Sequence, residues 1–482
     1  MSSVVIVGGG ISGLSAAYYL SKIPKDIVKK VIILERSSNL GGWVQSVRKE
    51  DGAVYEKGPR SIRGRRDGPG KNILEMVEDI GLSDKIISVP RNHVATTNRY
   101  LFINNQMYCL PNNMMQIIRQ TPPFKKSLLS SIWREPFKFN RLKNDCSIHE
   151  FISKRFSTDL ADNAIDPFCR GVFGGDSKSL SAKACFPDMF KYQMQHGSIL
   201  LGSILGRKKP YDSESSLVNR SIEEKWATWN MENGLQTLIE GLQKKLQDEG
   251  VHIFSGNACK RVDFTDGKVN VFWDKGQISA DHIVFSTFSS DISKVLQKEQ
   301  EELRNELDKI DAVTVGVSTI EYKGDVFPSQ YRGFGHLVPS WESSAKNLGV
   351  VYESCVFPEH DNKERPTTRL TVMSGGAWFD KVFGKDHTQG NSRIEEESIK
   401  SVRQQLGIKD EPMRIETNVH KDCLPQYKVG HCDIVNKVEE LSSNLPVSFI
   451  GSSFRGVSVL DCIWDAKLQM ENLKSTLTTK EV

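Results

Sequence analysis

The chain opens on a short apolar run, Val4 Val5 Ile6 Val7, that stops at Gly8 Gly9 Gly10 and resumes as Ile11 Ser12 Gly13 Leu14 Ser15 Ala16 Ala17 Tyr18 Tyr19 Leu20. This pattern predicts a buried strand, a glycine turn and a helix. A second apolar run, Val31 to Leu34, ends in Glu35. Two distant stretches have the same character. In the first, Ala280 to Thr287 follows the apolar runs Val251 to Phe254 and Val269 to Trp273; in the second, Val447 Ser448 Phe449 Ile450 enters the turn Gly451 Ser452 Ser453 before Gly456 and a final helix. These segments are expected to assemble one α/β domain from three separated pieces of chain.

What lies between them should handle a substrate. From about residue 92 to 200 the pattern is helical and cationic. Phe124, Leu128, Leu129, Ile132 and Trp133 would share one helical face, ringed by Arg119, Lys125, Lys126, Arg134, Lys138, Arg141 and Lys143 with hardly any acids. Such a face suits an anionic membrane surface, and pattern alone permits an ordinary core helix equally well.

Composition narrows the classes. The 482 residues hold 64 Lys and Arg against 60 Asp and Glu, with 38% hydrophobic and 26% charged residues. Wholesale disorder and a strongly basic nucleic-acid binder are excluded. No uninterrupted apolar run approaches the roughly 18 residues needed to cross a bilayer, and the first apolar run begins too close to Met1 for a cleavable leader. Nine scattered cysteines without a Cys-x-x-Cys pair read as reduced thiols, and ten histidines form no metal signature. No metal is expected.

The strongest chemical signal is the glycine turn. Gly8 permits the tight turn, Gly10 lets the backbone approach a pyrophosphate, and Gly13 lets the helix pack closely on the strand. With Gly9, Ile11 and Ser12 they would place that pyrophosphate on the helix N-terminus. Glu35, about 20 residues beyond the last glycine, can accept hydrogen bonds from ribose hydroxyls. NAD and FAD both suit such a fold. The next residues, Arg36 Ser37 Ser38 Asn39 Leu40 Gly41 Gly42 Trp43, resemble the second fingerprint of flavoproteins of the amine oxidase and protoporphyrinogen oxidase superfamily. FAD is therefore favoured.

Further segments are similar to the protoporphyrinogen oxidase family in its animal mitochondrial form. They are Glu56 Lys57 Gly58 Pro59 Arg60 Ser61 Ile62 Arg63, Asn98 Arg99 Tyr100 Leu101, Cys169 Arg170 Gly171 Val172 Phe173 Gly174 Gly175, Ser198 to Gly202, Gly333 to Ser340, Thr371 Val372 Met373, Pro425 Gln426 Tyr427 and Gly456 to Val459. They recur in order nearly end to end. Trp43 stands where amine oxidases commonly place an arginine, as in the animal family.

The resemblance implies a discontinuous Rossmann-like FAD-binding domain, a mixed-sheet substrate domain and a helical membrane-binding insertion, in an α/β and α+β fold. The expected boundaries are 1–91, 201–292 and 424–482 for the FAD domain, 92–200 for the membrane-binding part and 293–423 for the substrate domain. It further implies six-electron oxidation of protoporphyrinogen IX to protoporphyrin IX, the penultimate step of heme synthesis, with dioxygen reoxidising the flavin to give hydrogen peroxide. A related oxidase acting on coproporphyrinogen III or an amine, or a silent FAD or porphyrin carrier, is the alternative.

Carried over from the family, Gly42, Trp43, Gly58, Pro59, Ser61, Ala258, Ser452, Val457, Ser458 and Val459 join Arg36 around FAD, which is noncovalent because the 451–453 turn has no cysteine. Arg60 lies near the flavin edge. Arg99 is the expected propionate partner, the Gly171 carbonyl faces pyrrole N–H groups, Phe334, Leu337 and Met373 wall the macrocycle, and Arg170 tunes charge and orientation. Peripheral attachment to the inner mitochondrial membrane on its intermembrane-space side, a homodimer and a ferrochelatase contact are also implied, and no nucleic-acid partner.

Overall fold

The computed structural model describes residues 2–138, 142, 144–206, 213–265, 267–384 and 390–479. Five strands form a parallel sheet in the order His252–Phe254, Val28–Leu34, Ser2–Val7, His282–Phe285 and Val447–Phe449. The three separated apolar segments therefore do meet in one sheet. A central parallel strand is covered on both faces, which is why Ser2–Val7 reads as an unbroken apolar run and not as an alternation. Val4 and Ile6 pack in one cluster with Leu14 of helix Ile11–Ser21 and Ile463 of helix Val459–Thr479. Val5 and Val7 pack on the opposite side with Val271, Phe285 and Leu303.

A second sheet has seven strands, in the order Arg414–Pro425, Ala312–Lys323, Thr367–Gly375, Asn347–Val351, Gly335–Leu337, Tyr100–Ile103 and Gln106–Cys109. Only the pairing of Gly335–Leu337 with Tyr100–Ile103 is parallel, so the sheet is mixed. One face is closed by helix Gly390–Leu406, whose Val402 and Leu406 pack with Ile320, Val350 and Val372. The other face turns toward residues 41–60. Lys49 pairs with Glu416 at 2.5 Å, and His420 meets the Lys57 carbonyl at 2.7 Å.

Two expectations for 92–200 need correction. Residues 100–109 lie in the seven-stranded sheet and not in the helical part. Tyr100, Leu101, Phe102 and Ile103 are all buried, and the connecting Asn104 and Asn105 both take left-handed backbone angles, φ 50° and 58°. That pair of consecutive positive angles is what a tight hairpin demands, and Asn tolerates it better than most residues. The second correction concerns 124–134, where only Leu128–Trp133 is helical. Ser127 caps that helix by accepting the Ser130 N–H, which ends the helix on its N-terminal side. Phe124 turns inward while Leu129 and Trp133 stay exposed, so the five apolar residues do not share one face. The remaining helices of this part, including Ile148–Arg155, Asp166–Phe173 and Pro187–His196, gather around Ile148, Phe151, Cys169 and Phe190.

Candidate active site

The glycine turn is closed by backbone contacts. Gly13 lies so close to the preceding strand that a Cβ there would meet the Gly8 carbonyl oxygen at 2.0 Å. Gly10 is different. A Cβ on it would meet nothing nearer than the Gly42 Cα at 3.9 Å, so Gly10 and Gly42 border an open cradle. Gly41 donates to the Gly9 carbonyl at 2.8 Å, which holds the paired glycines against the turn. Glu35 sits at the end of Val28–Leu34, where its carboxylate accepts the Gly9 N–H at 2.6 Å and the Ser37 N–H at 2.7 Å. A carboxylate has lone pairs to spare for two hydroxyls beyond these. An open glycine cradle beside a fixed carboxylate fits a dinucleotide.

The C-terminal segment completes this end. Gly451, with φ 100°, brings the turn beside Ser12, whose hydroxyl oxygen would lie 3.3 Å from a Cβ placed on Gly451. Buried Tyr427 ties both ends of the turn, donating to the Ser452 carbonyl at 2.6 Å and accepting the Gly456 N–H at 2.7 Å. Val457 lies between this tie and Ser458, which caps helix Val459–Thr479 by accepting the Asp461 N–H. Ala258 follows Asn257, whose N–H goes to the Glu35 carbonyl, but the Ala258 N–H is already given to Asp274. Its N–H is therefore not available to a ligand. Arg36 is exposed.

Toward the second sheet, Gly58 packs under Trp43, whose carbonyl oxygen a Cβ on Gly58 would meet at 2.2 Å. Pro59 and Ser61 flank Arg60, which is buried and pairs with Glu353 at 2.6 Å. Burial alone would raise the Glu353 pKa, yet Arg60 and Arg369 outweigh it and hold the carboxyl below its usual range.

The strand register sets the opposite wall. Leu101, Leu337, Gly349, Met373, Val317 and Asn418 oppose one another across successive strands, so they form one row on the open face. Gly349 stands in that row between half-buried Leu337 and Met373, and the Leu337 side chain lies over it, since a Cβ there would meet Leu337 Cδ2 at 3.0 Å. Gly171 meets the same row from helix Asp166–Phe173, since a Cβ on it would touch Leu337 at 2.4 Å. It lies in the last helical turn, where carbonyls have no partner within the helix. Arg170, its neighbour, does not point at open space. It donates to the Val338 and Pro339 carbonyls at 2.9 Å each and stacks on Trp378 at 4.8 Å. One turn earlier Asp166 accepts the Ser340 N–H at 2.7 Å. Together they clamp the wall that follows Leu337. Burial pulls the Arg170 guanidinium down to about 10, and its Nε has no partner.

Phe334 packs beside Val89, Ala95 and Phe357 at the edge of this face. Arg99 lies two residues before Leu101 and remains exposed, with no acidic partner among the described residues. Crowding around it, then the Arg63 charge nearby, lower its pKa. The fold brings in Glu353 and His420, which the sequence did not mark, and gives a place to Tyr427 and Arg63, which lay in the resembling segments without a role. Gly333 to Ser340 and Pro425 Gln426 Tyr427 marked the neighbourhoods, but no local spacing couples residue 60 to 353 or 43 to 420.

A sequence model of flavin-containing amine oxidoreductases matches residues 11–463. The chain is 37% identical over 464 residues to the protoporphyrinogen oxidase of Bos taurus, covering 96% of each chain. The chain belongs to the protoporphyrinogen oxidase family. The Homo sapiens enzyme of that family is 36% identical, again over 96% of each chain. Among solved structures, a candidate protoporphyrinogen oxidase from Exiguobacterium sp. 255-15 superposes with a TM-score of 0.79 at 21% identity, covering 98% of this chain and 99% of that one. This likeness concerns the fold. Family membership makes the chain an oxidoreductase with a flavin cofactor, and the cradle between Gly10 and Gly42 is where its residues fit one.

Proposed function

We propose that this chain removes six electrons from protoporphyrinogen IX, giving protoporphyrin IX, with noncovalent FAD as the immediate acceptor and dioxygen as the final one, reduced to three hydrogen peroxides. The observation that carries this is the apolar row Leu337, Gly349, Met373, in which the Leu337 side chain lies over Gly349, on the sheet face that turns toward residues 41–60, in a chain of this family. A planar macrocycle needs an apolar wall and a few cations for its carboxylates. Bound flavin supplies the two-electron acceptor. Gly10 and Gly42 would admit its pyrophosphate, and Glu35 would hold its ribose. Gly171 offers a free carbonyl to pyrrole N–H groups, while Arg99 and Arg63 supply positive charge for the propionates. Cys462, near the Ser12 turn, is pushed up to about 12 by burial, so it offers no thiolate for covalent attachment.

The test is turnover. Mixed in air with flavin-loaded protein, protoporphyrinogen IX is expected to yield porphyrin fluorescence far faster than with boiled protein or without oxygen. Equal or faster turnover of coproporphyrinogen III or an amine would transfer the function to that substrate.

We also propose peripheral attachment to the mitochondrial inner membrane, on the intermembrane-space side. No described helix is long and apolar enough to cross a bilayer. Large apolar side chains nevertheless stand out on adjoining elements: Met114, Ile118, Trp133, Phe137, Ile204 and Leu205 are 50 to 69% exposed. Arg119, Lys125, Lys126 and Arg134 are their cationic neighbours, whereas Arg141 and Lys143 lie outside the described residues. Basic residues near anionic lipid contribute about 1 kcal/mol each. Exchanging Lys125, Lys126 and Arg134 for Glu is thus expected to weaken binding to phosphatidylserine vesicles at least 100-fold in a sedimentation assay. Unchanged sedimentation would remove this surface from the membrane.

A further inference from the structure

Each two-electron step must part with a proton as well as a hydride, and the residues so far placed at the site do not take it. Arg60, Arg99 and Arg170 are cations without a lone pair. Glu353 is already paired with Arg60 and held deprotonated.

His420 is differently placed. It lies on Arg414–Pro425, two residues beyond Asn418, the end of the row that holds Leu337 and Met373. His420 itself opposes Val315, which opposes Gly375, and this adjoining row faces the same way. Its ring meets Trp43 edge-on with centroids 4.9 Å apart, and Trp43 directly follows the Gly42 of the flavin cradle. The imidazole therefore stands between the apolar wall and the expected flavin position.

Its tautomer is fixed by chemistry. Nε2 lies 2.7 Å from the Lys57 carbonyl, and a carbonyl can only accept, so Nε2 carries the proton and Nδ1 keeps a bare lone pair. We propose that His420 Nδ1 is the proton acceptor of the oxidation. In the first two steps a C–H bond at a bridging carbon breaks and its hydrogen leaves as hydride, which bound flavin would accept. A pyrrole N–H bond breaks, its proton goes to Nδ1, and the electron pair left on nitrogen forms the new π bond. In the third step the hydride leaves a third bridging carbon and the proton comes from the fourth, whose C–H electron pair enters the ring. Four C–H and two N–H bonds are thus lost, and two pyrrole N–H groups remain. His420 then returns the proton to solvent, for which its half-buried ring has access. Burial, reinforced by the charges of Lys57 and Arg60, lowers its pKa against the opposing Lys57 hydrogen bond. The ring is neutral, and able to accept, at neutral pH. Val315 and Gly375, its cross-strand neighbours, bring no charge.

This inference rests on the oxidase reading, and the experiment separates the two. In wild-type holoenzyme without substrate, the absorbance of the bound flavin is expected to titrate with one proton and a midpoint below 6.5, because His420 charges beside it. His420→Gln should keep its flavin and lose that titration. With protoporphyrinogen IX, wild type should lose kcat/KM as pH falls through the same midpoint, while His420→Gln should show a kcat about 100-fold lower with that acid limb gone. A Gln variant with the wild-type rate and acid limb overturns the proposal. If the variant does not hold flavin, wild type decides alone: different midpoints for the flavin titration and the acid limb overturn it. No porphyrin from wild type would sink the oxidase reading, while the flavin titration would still report whether His420 adjoins the cofactor.

Discussion

Gly13→Ala is expected to yield protein that neither holds flavin nor folds as stably as the parent, whereas Gly10→Ala is expected to lose only the flavin. The contrast comes from what each new methyl group meets. At Gly13 it would stand 2.0 Å from the Gly8 carbonyl oxygen and 2.6 Å from the Ser286 hydroxyl. Neither can yield easily, because the Ser286 hydroxyl donates to the Val7 and Gly8 carbonyls at 2.9 Å each. The helix must move off the strand, at a cost of about 3 kcal/mol, the upper end for overpacking. At Gly10 the backbone is extended, with φ −72° and ψ 179°, which alanine adopts freely, and no protein atom stands in the way. The methyl instead fills the cradle and parts the phosphate from the backbone N–H groups. Losing a charge-assisted hydrogen bond costs about 1.5 to 3 kcal/mol, so flavin affinity should fall on the order of 100-fold with thermal unfolding of the apoprotein unchanged. Flavin absorbance after purification and a melting curve give both readouts. A yellow Gly10→Ala protein with parental affinity would move the pyrophosphate elsewhere.

How much of this was legible in the sequence follows the range of the contacts. The turn, the helix and Glu35 are local, and each glycine's role follows from its spacing alone. The strands at 282–285 and 447–449 were legible because both are buried on two faces and read as apolar runs. The hairpin at 100–109 carried a readable sign in Tyr100 to Ile103 followed by Asn104 Asn105, and a reading of the region by its basic helices passed over it. The wall of the site was not legible from pattern, since register decides it: nothing in the spacing of Leu337, Gly349 and Met373 says that they stand in one row. His420 is the extreme case, tied to Trp43 across almost the whole chain.

The basic segment has hardly any acids, and what the sequence could not show is where one of them, Glu135, goes. It is fully buried against Arg155, which is 1% exposed. Glu135 also accepts the Ser198 hydroxyl at 2.5 Å and the Ile199 and Leu200 N–H groups at 3.0 and 3.2 Å. Arg155 reaches the Lys138 and Gly197 carbonyls at 2.8 and 2.7 Å. One buried pair thus joins the turn bearing Phe137 to helix Ile199–Leu205, which bears Ile204 and Leu205, and fixes how the exposed apolar surface is presented. Glu135→Ala strands a buried guanidinium and is expected to destabilise the fold by about 3 to 5 kcal/mol. The double change Glu135→Leu with Arg155→Met removes both charges and should recover part of that loss, because apolar groups can replace a buried pair at little cost while the Ser198, Ile199 and Leu200 donors lose their acceptor. Recovery of stability without recovery of vesicle binding would mean that the pair is kept for the geometry of the surface. If Glu135→Ala instead melts within a degree of the parent, the pair holds nothing together, and the shape of the apolar surface must be set by the Phe151 and Phe190 core beneath it.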